Sequence, residues 1–128
     1  FLKIPIMYIP LNEEPFIFQQ DINLDLVITV DKLSTNTVNM TLVGRLDFKT
    51  QDVFRRKFLE ILEENEKGID IELHLNGCKH IDSAGFGALL YLHRQVENKQ
   101  HQLILCELNT SLKTLFTENQ LINIFNIR

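Results

Sequence analysis

The chain has 128 residues, 45% hydrophobic and 23% charged, the balance of a single soluble globular domain that buries somewhat under about 70% of its unfolded surface. Its formal net charge is −4, with 13 basic against 17 acidic residues, and no basic stripe is present, so direct binding to nucleic acid is not expected. Two cysteines, Cys78 and Cys106, each close to a strand-like run, suit core packing in a reducing cytoplasm better than a disulfide framework.

The first ten residues are apolar, but they are broken by Pro5 and Pro10 and fall far short of the about 20 apolar residues that span a bilayer. No membrane insertion is expected. A basic opening and a small-residue cleavage site, the marks of a signal peptide, are also missing. Pro5, Pro10 and Pro15 disfavour a central strand. Residues 1–21 therefore read as an arm or linker, following some preceding segment because the chain opens on Phe1, and residues 22–128 read as the domain. Leu24, Leu26, Ile28 and Val30 then alternate with polar residues, predicting a half-buried strand. Residues 34–37 supply a turn, and Val38, Met40, Leu42 and Gly44 continue the alternation, which makes a hairpin. Gly44 marks a bulge or close backbone approach. Asp47 follows at the strand end, and Phe54, Phe58, Ile61 and Leu62 define the apolar face of a helix stopped by Gly68. Arg55, Arg56 and Lys57 fall on its solvated face. A strand over 70–75, a helix over 84–99, a strand over 102–106 and a helix over 110–118 complete the order. The predicted class is α/β, a mixed sheet made of an N-terminal hairpin plus parallel strands, packed against helices in two or partly three layers.

The informative stretch is residues 78–90, where a strand ends and a helix begins at about Ala84, placing Ser83 at its N-cap. A plain cap is the commonest meaning of serine there. Asp82 offers a second cap, however, while Ala84, Gly85 and Gly87 strip bulk from the first turn so that another backbone can approach. A phosphate on Ser83 would bring about 1.5 to 2 negative charges to a helix mouth that favours anions. Asp47, Asp82 and Ser83 are expected on one rim, at the carboxyl ends of the strands. Catalysis has weaker support. Paired carboxylates need an enclosing pocket, and the nucleophile elbow Gly-x-Ser-x-Gly is absent because position 81 is Ile and position 82 is Asp. Gly85-x-Gly87 lacks the third glycine of a dinucleotide fingerprint. His74, His80, His93 and His101 show no zinc-type spacing with the cysteines. His93 reads as a partly buried helix residue and His101 as part of a polar turn. No catalytic residue, metal or cofactor is assigned.

Ile81-Asp82-Ser83-Ala84-Gly85-Phe86-Gly87 resembles the signature loop of STAS domains, specifically that of bacterial anti-sigma factor antagonists, or anti-anti-sigma factors. Gly44-Arg45-Leu46-Asp47 is similar to the family's Gly-x-Leu-Asp, Ser111-Leu112-Lys113-Thr114-Leu115-Phe116 to its last helix, and Leu121-Ile122-Asn123-Ile124-Phe125 to its closing segment. Phe86 stands where the family most often has Leu. The likeness covers roughly residues 22–127. It implies a STAS-like fold without enzymatic activity, located in the cytoplasm. Ser83 would be the phosphoacceptor, and Asp47, Asp82, Ser83, Ala84, Gly85 and Phe86 would contact the partner. That partner would be an anti-sigma factor that is also a serine kinase of the histidine-kinase-like ATPase type, whose capture frees a sigma factor for transcription; a serine phosphatase would reverse the modification. Two rivals stay open: a STAS domain of a transporter or multidomain regulator, acting as an unmodified scaffold, and a small hydrolase or nucleotide-binding protein using Asp82 and Ser83.

Overall fold

Alternation in the first apolar run does build a hairpin. A computed structural model describes residues 25–65 and 68–128; the arm over 1–21 and the domain boundary at 22 lie outside the described residues. Strand β1 (Leu26–Lys32) pairs antiparallel with β2 (Thr37–Leu46), with Leu26 opposite Gly44 and Lys32 opposite Val38. In the turn between them, the N–H groups of Leu33 and Ser34 donate to the Thr37 carbonyl, and Ser34 Oγ accepts from Asn36 N–H. Gly44 has φ +123°, and a Cβ there would collide with the Asp25 carbonyl oxygen. Register slips between Gly44 and Arg45, so this glycine is both a bulge and a close approach, and no other residue fits it without backbone movement.

Helix α1 (Gln51–Glu64) buries Phe54, Phe58, Ile61 and Leu62. It ends at Asn65 rather than at Gly68, because Asn65 is extended at φ −123° and its side chain donates to the Ile61 carbonyl at 2.7 Å. Gly68, at φ +92° in open space, shapes the connection that follows. Strand β3 (Asp70–His74) then pairs parallel with the first half of β2, and β4 (Cys78–Ile81) pairs parallel with its far end. Sequence patterning missed β4. Lys79 and His80 are adjacent polar residues, so four residues give no period-two signal, and only the unpaired end of the ten-residue β2 defines them as a strand. Helix α2 (Ser83–Asn98), strand β5 (Gln102–Cys106), helix α3 (Thr110–Glu118) and the two-residue β6 (Asn126–Ile127) follow. The sheet order is β1-β2-β3-β5-β6 with β4 beside β2, parallel from β2 onward.

Met40, Leu42, Ile71, Leu73, Leu103 and Leu105 turn one sheet face into a core shared with Phe54, Phe58, Leu89, Leu92, Leu112 and Phe116 of the helices. The described residues thus form two layers. Alternation turns Asn39, Glu72, His74 and Cys106 to the opposite face. His101, predicted in a polar turn, does lie in the turn just before β5 but is buried there, and its Nδ1 accepts from Ile69 N–H at 3.2 Å. Desolvation, and then the charge of Lys99, lower its pKa below the usual histidine value.

Candidate binding rim at the mouth of α2

Where β2 stops, Asp47 organises the turn into α1. Its Oδ1 accepts from Lys49 N–H at 3.0 Å, from Thr50 N–H at 3.3 Å and from the Thr50 hydroxyl at 3.3 Å. Its Oδ2 accepts from Arg45 Nε at 3.3 Å. Burial raises the Asp47 pKa, and these bonds, from Lys49 first and then from Arg45 and Thr50, more than offset it, so the carboxyl lies below its usual range. Asp47 is only 6% exposed. Every donor to it comes from its own turn, so it frames the rim.

Asp82 performs the capping expected of Ser83. Its Oδ1 accepts from Gly85 N–H at 2.9 Å, which makes it the N-cap of α2. Its Oδ2 accepts from Phe48 N–H at 3.1 Å, and its own N–H donates to the Leu46 carbonyl. One side chain therefore ties the β2–α1 turn to the helix mouth. Aspartate displaces serine from this role because its two oxygens serve two N–H groups at once, whereas a hydroxyl one residue later already lies inside the helix. Ser83 becomes the first helical residue and is exposed. The cap leaves the N–H groups of Ser83 and Ala84 without an intrahelical acceptor, pointing out of the positive end of the helix dipole.

Gly85 is buried and Phe86 half-buried. A Cβ on Gly85 would overlap the Leu46 carbonyl oxygen and approach Ile81 Cγ2 at 2.8 Å. Its missing side chain serves the packing of α2 on β2. Phe86 packs edge-on against Phe116 at 5.2 Å between centroids, bridging α2 to α3. Gly87 is different: it is exposed, and nothing stands within 4 Å of the place a methyl group would take. Sequence reasoning overlooked Phe48, 68% exposed beside Asp82, and Val53 and Tyr91, 51% and 38% exposed on α1 and α2. The Arg55 guanidinium lies 5.2 Å from the Tyr91 ring centroid. The available signal was the apolar residue just after Asp47, outside any core periodicity. Asn109 caps α3 by accepting from Leu112 N–H, and its Nδ2 donates to the Cys78 carbonyl at 3.0 Å. An open hollow of about 570 Å³ lined by Leu62, Glu63, Asn98 and His101 lies at the other end of α1 and α2, away from this rim.

The model of the STAS domain family matches residues 29–128. The chain belongs to the STAS domain family. Among solved structures, the Bacillus cell fate determinant SpoIIAA in its phosphorylated form is 20% identical and superposes with a TM-score of 0.59, over 79% of this chain and 90% of that one. An anti-sigma factor antagonist from Mycobacterium paratuberculosis is 10% identical, with a TM-score of 0.65 over 80% and 84% of the two chains. The murine anion transporter Slc26a9 is 19% identical, with a TM-score of 0.59, and the match covers 65% of this chain but 14% of the transporter. The mixed sheet and helices of this STAS domain are thus the fold shared by anti-sigma factor antagonists and by one segment of a transporter. Among the described residues, no helix is long and apolar enough to cross a membrane.

Proposed function

We propose that this STAS domain is a phosphorylation-switched protein-binding module, an anti-sigma factor antagonist whose phosphoacceptor is Ser83. The observation that carries the reading is the division of labour at the helix mouth: Asp82 supplies the cap, so the Ser83 hydroxyl is exposed and has no structural duty as the cap. In support, the Bacillus relative exists in a phosphorylated form. The contact surface is Ser83, Ala84 and Gly87 at the helix mouth with Phe48 beside them, extended by Val53 and Tyr91. Asp47, Asp82, Gly85 and Phe86 hold that surface in place from behind. The partner is an anti-sigma factor with serine-kinase activity of the histidine-kinase-like ATPase type. Unmodified domain sequesters it and frees a sigma factor, phosphorylation releases it, and a serine phosphatase resets the cycle.

Release follows from charge. Phosphoserine adds about 1.5 to 2 negative charges next to the Asp82 carboxylate and within an apolar contact, so a bound partner meets repulsion and desolvation. The helix N-terminus accommodates the same charge in the free domain. A coupling of about 1 to 3 kcal/mol changes affinity by roughly 5 to 150 times, enough to switch a complex. The test is intact mass after incubation with the anti-sigma kinase and ATP. A gain of one phosphate that disappears in Ser83→Ala is the expected result. An unchanged mass with the partner still bound would favour a STAS scaffold of the transporter type.

A further inference from the structure

We propose that Glu72, His74 and Cys106 form a site for a borderline-soft divalent cation of the zinc type, on the sheet face turned away from the helices. His74 and Cys106 are lateral partners in the parallel β3–β5 ladder, and Glu72 precedes His74 by two residues, on the same face of β3. Ligand atoms of all three lie within 4.8 Å of one another. A tetrahedral zinc ion with bonds of about 2.0 to 2.3 Å holds its ligands roughly 3.5 Å apart, so small side-chain rotations close the site. A carboxylate, an imidazole and a thiolate are a three-residue donor set that leaves a fourth position open.

The surroundings hold each ligand in a receptive state. His74 Nδ1 lies 3.4 Å from Glu107 Oε1. This is the carboxylate behind a histidine that orients and strengthens metal-bound imidazoles. Nε2 is buried and has no hydrogen-bond partner among the described residues, since Glu72 Oε1 stands 3.7 Å away. An orphaned buried nitrogen is costly unless something fills its lone pair. Arg128 Nη1 donates to Glu72 Oε2 at 3.1 Å, leaving Oε1 toward His74. Asn39 is the register partner of Glu72 on β2, and its Oδ1 is likewise buried without a partner among the described residues, an acceptor for a water in the open position. Cation binding breaks the Cys106 S–H bond, forms an S–metal bond and releases the proton to solvent.

Calorimetric titration of the full chain with zinc chloride, after chelator treatment, is expected to give one ion per chain. Glu107→Gln, behind the ligands, should weaken binding by about 10- to 100-fold, and His74→Ala should abolish it. Cobalt(II) provides a spectroscopic readout on the wild-type chain itself. The wild-type chain should show a thiolate-to-cobalt charge-transfer band, retained in Cys78→Ala and lost in Cys106→Ala. Absence of stoichiometric zinc binding by the wild-type chain overturns the proposal, as does a cobalt complex without that band or binding that survives His74→Ala.

Discussion

At position 82 one carboxylate serves two N–H groups on different elements, and its substitutions separate the two contributions. Asp82→Ala should lower unfolding free energy by about 1 to 2 kcal/mol, the cost of a lost cap, with Phe48 N–H losing its acceptor as well. Asp82→Asn keeps one good capping oxygen and should cost less; urea denaturation monitored by circular dichroism orders the two. His101 makes stability pH-dependent. Its folded pKa is depressed below the unfolded value of about 6.5, so the contribution is complete above that value and is lost as pH falls through the folded pKa. The urea midpoint of the wild-type chain is therefore expected to drop on acidification from about pH 6.5, and His101→Gln should flatten that slope. Asp47 acts in the same direction in a more acidic window, below its unfolded pKa of about 3.9. The roles of Asp47 and Asp82 as rim residues were legible from their place after strand-like runs. Which N–H groups they satisfy was not, because Phe48 and Asp82 are 34 residues apart in the chain.

Helix α2 carries two glycines two residues apart with opposite meanings, and the element decides between them. Gly85 faces β2 and Gly87 faces solvent. Gly85→Ala should destabilise by about 1 to 3 kcal/mol, since the new methyl drives α2 off the Leu46 carbonyl. Gly87→Ala should stabilise by up to about 1 kcal/mol through helix propensity while weakening anti-sigma factor binding if a partner's backbone packs there. Urea titration and a pull-down on the same two proteins check both. In sequence the pair read as one bulk-free turn, because a helical period assigns a face only once the helix's orientation on the sheet is known. Strand β4 illustrates the same limit, since its only strand signal is the partner β2 supplies.

For the whole molecule, the proposed switch is tested by a charge at position 83. Ser83→Glu places a negative charge at a helix N-terminus and should stabilise the free domain by about 0.3 to 1 kcal/mol while weakening the anti-sigma complex by roughly 5 to 150 times; thermal unfolding and a binding isotherm should move in opposite directions. Local patterns alone determined the hairpin, the three helices among the described residues, strands β3 and β5 and a serine at a helix mouth. These are local patterns in which the spacing of apolar residues dictates the buried face. Only the tertiary structure decided that Asp82 rather than Ser83 caps the helix, that Gly85 and Phe86 turn inward, that Phe48 stands out beside the rim, and that Glu72, His74 and Cys106 meet on the far sheet face. Each of these depends on which distant strand or turn lies alongside, and parallel pairing brings together residues that no fixed spacing in the chain can relate.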